Sequence, residues 1–237
     1  MRIGIRAGHN PQAQGASGIL NEVVEDRKIY ATVIKYLKLD KNDVIDVTPY
    51  SCISAEDLKR GVNEANAYKV DIFASIHLNA ANGQGKGTEV LYYGSSATGK
   101  ALATRVCNSI TKLGFISRGA KSDVRGLYEL KNTDAPAIIV ECFFLDSVID
   151  VALYRKLGID AIGKAIAEGL VGHAINIVKP VSVINAQPRI DYVLKTQMFL
   201  NSMGILDVGG HRLVEDGIIG KLTFSALDNL NKKLGGK

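Results

Sequence analysis

The chain opens RIGIRAGHNPQAQGASGILNE over residues 2–22, and how this stretch is read decides the fold. Arg2 to Ala7 is an apolar-rich strand. From Gly8 to Leu20 the composition changes to Gly, Ala, Asn, Gln, Ser and Pro, the residues of a loop. Asn21 then stands as a helix N-cap, and the helix it opens runs to about Leu39 with Tyr30, Val33, Ile34 and Leu37 on one face. The loop has a histidine, His9, near its start, and a carboxylate, Glu22, follows its end. A phosphate cradle and half of a metal site both look partly like this.

The alternation continues. Asp43 to Thr48 reads as a strand, and Ser54 with Asp57 reads as a capping box ahead of Leu58, Val62 and Ala65. Val70 to Ile76 is a buried strand ending at His77, and Thr88 to Tyr93 follows a glycine-rich loop. Leu102, Val106, Ile110 and Leu113 mark a helix, Ala137 to Cys142 a strongly apolar strand, and Ile162, Ile166 and Leu170 a last long helix. Strands alternating with helices predict an α/β domain of three layers, with a mostly parallel mixed sheet flanked by helices. Lys179 to Arg189, with two prolines and little periodicity, reads as a linker. The expected organisation is therefore a domain over 1–178, a linker over 179–189 and a small all-α C-terminal domain over 190–237. In the last, Leu194, Met198, Leu200 and Met203, then Phe224, Leu227 and Leu230, supply apolar faces.

The 237 residues are 46% hydrophobic and 22% charged, an ordinary globular balance. No apolar run reaches the roughly 18–20 residues needed to cross a bilayer, and Arg2 followed by so short an apolar stretch does not read as a signal peptide. The expectation is a protein made in the cytoplasm. The 3 cysteines, Cys52, Cys107 and Cys142, are far apart and form no CxxC, which argues for reduced, buried thiols rather than disulfides or a cysteine metal site. A net charge of +5, spread along the chain, gives weak support to a nucleic-acid surface and equal support to another anionic polymer.

In open α/β sheets function gathers at the carboxyl ends of strands. Here His9 follows the first strand, His77 the third, and Glu141 lies in the apolar run AIIVECFF. Burial of an unpaired carboxylate costs on the order of several kcal/mol, so a glutamate in such a strand is usually paired, metal-associated or catalytic. His9, Glu22 and His77 together make a three-ligand zinc set with an open fourth position, and Glu141 is then the carboxylate free to move a proton. The phosphate alternative fades because the loop lacks GxGxxG, GxxxxGK[ST] and any lysine. On the metal reading, its small residues leave a groove for a bulky substrate. His173 and His211 read as surface or loop residues.

AGHN with its downstream Glu22, SIHLNA at 75–80 and PAIIVECFFLDS at 136–147 resemble the zinc-dependent N-acetylmuramoyl-L-alanine amidases of the type-3 cell-wall amidase family, over roughly residues 1–177. The resemblance implies one zinc ion per chain held by His9, Glu22 and His77, with Glu141 as the catalytic glutamate. Glu22 matches the family's ligand rather than Glu25 because it lies seven residues before Ile29. Asn79 falls where the family often has an asparagine near the substrate. Two departures stand out. The family's E-x-G-F is here Glu141-Cys142-Phe143-Phe144, and its Asp-Pro before Gly-His is here Arg6-Ala7. LKTQMFLNSMGI and LVEDGIIGKLTFSAL resemble a helical peptidoglycan-binding domain, most clearly in the D-G-x-x-G-x-x-T run from Asp216 to Thr223, with VGGH at 208–211 as a departure.

The implied activity is hydrolysis of the amide between N-acetylmuramic acid and L-alanine of bacterial peptidoglycan. A phage or prophage endolysin, released through a holin-like partner to act on the cell wall, fits the absence of an export signal. So does a spore-associated amidase. The competing readings are a zinc peptidase cutting elsewhere in the stem peptide, a wall-binding protein with a dead catalytic domain, and a nucleic-acid binder. The last gives the histidines and glutamates no role, and the expectation is that neither nucleic acid nor a transmembrane segment is involved.

Overall fold

RIGIRA folds as β1 (Arg2–Ala7), buried from Ile3 onward. The computed structural model describes residues 1–49, 52–176, 189–215 and 220–233. The chain divides into two units, Met1–Ile177 and Val178–Lys237. In the first, β1 is followed by α1 (Glu22–Leu39), β2 (Asp43–Asp46), α2 (Ser54–Ala67), β3 (Ile72–Asn79), β4 (Thr88–Tyr93), α3 (Ala97–Thr111), β5 (Ser117–Asp123), α4 (Tyr128–Asn132), β6 (Ala137–Phe144), α5 (Val148–Leu157) and α6 (Ile159–Val171).

The six strands form one sheet in the order β2-β1-β3-β6-β4-β5. All neighbours are parallel except β4 and β6, which run antiparallel, so the sheet is mixed and mostly parallel as expected. Strand residues alternate between faces. One face carries Ile3, Ile5, Ala74, Ile76, Leu78, Val90, Ile138 and Val140 into a core shared with Ile29 and Val33 of α1, Val106 and Ile110 of α3, and Ile162 and Ile166 of α6. The other face carries Phe73, Leu91, Ala137 and Ile139 against Ala65 of α2 and Leu130 of α4. That second face also receives Arg6 and Ser75, which are register partners on β1 and β3.

Asn21 caps α1 by accepting from the Val24 N–H. The helix buries Ile29, Val33, Tyr36 and Leu37, a stripe at i, i+4, i+7 and i+8, while Tyr30 and Ile34 sit at its margin. β2 ends at Asp46, short of the expected Thr48, whose hydroxyl accepts from the Ala7 N–H. β3 runs past His77 to Asn79, with a register shift between the two. The expected capping box of α2 does not form. Ile53 is the N-cap, without a side-chain bond, and the Asp57 carboxylate goes to Arg6 instead. Cys52, Cys107 and Cys142 are buried and free of disulfides.

The second unit holds α7 (Arg189–Ser202) and α8 (Lys221–Lys233). Its small core is Leu200, Ile205, Leu213 and Ala226, flanked by Leu222, Leu227 and Leu230. Met198, Met203 and Phe224, expected on the apolar faces, are exposed instead. The buried amide of Asn201 gives and receives hydrogen bonds with the Leu213 backbone, fastening the connecting segment to α7. Residues 216–219 of the D-G-x-x-G-x-x-T run lie outside the described residues, as does the linker from 179 to 188. Among the described residues no helix is long and apolar enough to cross a membrane.

Candidate metal centre and catalytic carboxylate

Three chain segments deliver the donors. The loop after β1 brings His9, the first residue of α1 is Glu22, and β3 carries His77. One donor atom from each lies within 4.8 Å of the others. Glu22 Oε1 sits 3.3 Å from His9 Nε2 and 3.3 Å from His77 Nδ1. The two rings meet edge to face, with centroids 4.9 Å apart.

Each donor is held from behind. His9 Nδ1 lies 2.9 Å from the Ala13 carbonyl, which leaves Nε2 facing Glu22. The His9 backbone is pinned by α1, its N–H donating to Asp26 and its carbonyl accepting from Arg27. Glu22 Oε2 accepts from the Ala16 N–H at 2.7 Å and Oε1 from the Leu78 N–H at 3.1 Å. His77 Nε2 lies 3.0 Å from Ser75 Oγ. The small residues of the opening loop thus serve the donors through backbone groups, as well as leaving space. A methyl on Gly8 would stand 2.3 Å from the His77 ring, and one on Gly15 would stand 2.1 Å from Glu22 Oε2 and 2.5 Å from His9. Gly15→Ala is therefore expected to push Glu22 and His9 apart and weaken divalent-cation binding by roughly tenfold or more. Chelator competition measures this, and thermal unfolding of the metal-free variant should stay near that of the parent.

Glu141 is the register partner of His77 on β6 and of Glu89 on β4, so the three side chains form a row on one sheet face. Glu141 Oε2 is buried and has no hydrogen-bond partner among the described residues. Burial pushes the carboxyl up to about 7 against the charges of His77 and His9. Burial also lifts Asp26 to about 7. It acts the same way on Glu22, but there the hydrogen bonds and charges of His77 and His9 win and hold the carboxyl well below the usual range. Burial would lower His77, yet the bond to Glu22 and the charges of Glu141 and Glu129 raise it to about 9. Three buried or half-buried carboxylates thus surround two imidazoles. Nitrogen and oxygen donors converging in this way fit a small divalent cation and match the two-histidine, one-glutamate set that catalytic zinc uses.

The Asn79 carboxamide is engaged in two directions, donating to Glu89 Oε1 at 3.1 Å and accepting from the Ala80 N–H. Glu89 also takes Arg118 at 2.7 Å, and Arg118 lies over the Phe144 ring. Phe143, where the family has glycine, is fully buried and stacked between Phe115 and Tyr154. That departure alters the core and not the rim of the site. His173 pairs with Asp40, and His211 belongs to a turn closed by Asp207; neither is one of the three clustered donors. Nothing in the local sequence marks Ser75, Asp57 and Glu129 as supports of the site, or Arg6 as buried beneath it.

Residues 3–171 match the family described as N-acetylmuramoyl-L-alanine amidase. The chain is 40% identical over 174 residues to an uncharacterized protein of Clostridium perfringens strain 13, covering 72% of this chain and 51% of that one. It is 32% identical over 178 residues to the endolysin of Bacillus phage SPP1, covering 70% of this chain and 62% of that one. Among solved structures, the catalytic domain of the CD27L endolysin targeting Clostridia difficile superposes with a TM-score of 0.68 at 33% identity, over 74% of this chain and 99% of that domain. The matched region thus spans about half to two thirds of these curated relatives' own length. The chain belongs to the N-acetylmuramoyl-L-alanine amidase family.

Proposed function

We propose that this chain is a zinc-dependent amidase that hydrolyses the bond between the lactyl group of N-acetylmuramic acid and L-alanine in peptidoglycan. The observation that carries the reading is the convergence of His9 Nε2 and His77 Nδ1 on one oxygen of Glu22, with Glu141 beside His77 in the sheet. His9, Glu22 and His77 would hold a zinc ion, which would supply the positive charge that acidifies a water and polarises the amide carbonyl.

Glu141 takes a proton from water as its oxygen bonds to the carbonyl carbon, and returns that proton to the alanine nitrogen as the carbon–nitrogen bond breaks. The products are a lactyl carboxylate and a stem peptide with a free amino terminus. The unpartnered Oε2 of Glu141 suits this role, since no hydrogen bond must break before it accepts the proton. Asn79 and Glu89 stand at the rim, where Asn79 can exchange an internal partner for the substrate amide.

The division of labour follows the sequence: residues 1–178 catalyse, 179–189 link, and 190–237 hold the wall. A wall-anchored module raises the effective concentration of the catalytic unit at an insoluble substrate. Similarity to two endolysins supports a phage or prophage origin, with a holin-like partner for release. The experiment is digestion of purified walls. Free amino-terminal L-alanine should appear without new reducing ends, and elemental analysis should find zinc near one per chain. Lysis should be lost to a chelator and restored by zinc. New amino termini other than L-alanine would replace the amidase with a stem peptidase.

A further inference from the structure

The remote nitrogens of the two histidines are held differently. His9 Nδ1 faces a backbone carbonyl, which only accepts, so its proton position is fixed. His77 Nε2 faces the Ser75 hydroxyl at 3.0 Å, which donates or accepts equally well and leaves the tautomer open. The group that breaks the tie is Glu129, whose Oε2 lies 4.0 Å from the same nitrogen. A carboxylate there favours a protonated Nε2 and so leaves the Nδ1 lone pair facing Glu22 and His9.

Glu129 sits on the short helix α4 and is only 3% exposed. Its other oxygen accepts from Arg6 Nη1 at 2.9 Å. Arg6, 0% exposed, also donates to Asp57 on α2 and to the Ala7 and Gly8 carbonyls. Gly8 is the residue over which the His77 ring lies. One guanidinium therefore fixes both the floor beneath His77 and the carboxylate at its far side. The charges in this buried cluster do not cancel: one cation faces two anions, each with a side chain no more than 4% exposed. Each anion ties one helix to Arg6, Asp57 for α2 and Glu129 for α4. The second has its free oxygen turned toward an imidazole.

We propose that Glu129 is a positioning residue for His77. With Ser75 it holds the ring so that Nε2 carries the proton and Nδ1 is the donor toward the shared site, while Arg6 holds Glu129 in place. This rests on the metal-centre reading above. Glu129 touches neither substrate nor cation, and it acts through the carboxylate–imidazole pairing that orients a metal-binding histidine and raises its donor strength.

Zinc affinity of the full chain, read by competition with a chromogenic chelator at fixed pH, tests it together with melting of the chelated protein. Glu129→Gln keeps the Arg6 contact and removes the charge. It should lower zinc affinity by about 10–100-fold, and it should also lower melting of the metal-free protein, because it takes one buried anion from Arg6. Asp57→Asn removes the other anion, which does not face His77, and should leave zinc affinity within about twofold while lowering the melting temperature. Equal losses of affinity in the two variants would mean general loosening, and an unchanged affinity in Glu129→Gln would mean no role; either result overturns the proposal. Should Glu129→Gln fail to fold, nitrogen NMR of His77 in the zinc-loaded parent decides. Coordination through Nδ1 with a protonated Nε2 supports the proposal, and coordination through Nε2 overturns it. A parent that binds no zinc removes the underlying metal reading, a result distinct from all of these.

Discussion

Glu141→Gln is expected to lower release of amino-terminal L-alanine from peptidoglycan by about 10²–10⁴-fold, the range over which a positioned acid–base group accelerates proton transfer. Bound zinc, on the proposed reading near one per chain, should not change. The side chain keeps its volume in the AIIVECFF strand, so the packing of β6 between β3 and β4 is undisturbed. Among the described residues Oε2 has no hydrogen-bond partner to lose. Stability has a definite sign. Burial raises the folded carboxyl to about 7 from an ordinary value of 4.5. Between those values the folded state binds more protons than the unfolded one, so this residue's effect on stability becomes less favourable as pH rises through the window. Above it the metal-free parent carries the full penalty of a buried charge, and glutamine does not. Metal-free Glu141→Gln should therefore melt at or above the parent temperature near pH 8, while hydrolysis collapses. Unchanged hydrolysis would hand the proton transfer to another residue, or leave the catalytic unit a wall-binding scaffold.

The four residues expected to carry chemistry were legible because each is odd for its setting. Two histidines near strand ends and a glutamate inside an apolar strand have few inexpensive explanations, and Glu22 follows a loop rich in Gly, Ala and uncharged polar residues. The sheet was legible where it is buried on both faces, as in β3 and β6. β5, SRGAKSD, escaped notice because it is an edge strand with much of its length exposed, so no apolar pattern marks it. α4 spans 5 residues, too few for a helical period to show. Arg6 alternates with Ile3 and Ile5, which makes it look solvent-facing. Only the fold reveals that α2 and α4 cover that face and supply Asp57 and Glu129 as its counter-ions. The supports of a site are long-range contacts between residues unremarkable in themselves. Glu129 lies 123 positions from Arg6, and nothing local in LYELKN announces it.

Glu22→Ala should abolish both zinc binding and hydrolysis, and thermal unfolding can separate the loss of metal from the loss of fold. In the parent, free zinc at about 100 times Kd stabilises by about 2.7 kcal/mol, an upward shift of about 5–11 °C in Tm for a chain of this size. That shift should vanish in the variant, because two imidazoles without the carboxylate between them are a poor site for a dication. The chelated variant also has a cost of its own. Glu22 receives the Ala16 N–H of the opening loop and the Leu78 N–H of β3, and a buried donor left unmet costs about 1–3 kcal/mol. The metal-free Tm should fall as well, so the informative quantity is the difference between zinc-loaded and chelated protein and not either temperature alone. Glu25→Ala is the matched control. Glu25 lies one turn further along α1 and binds Tyr154 and Lys28 rather than the histidines. Its loss should lower both temperatures together and keep the zinc-dependent shift. A zinc shift that survives in Glu22→Ala and disappears in Glu25→Ala would mean that the wrong carboxylate has been placed between His9 and His77, and the reaction built on that triad would have to be abandoned.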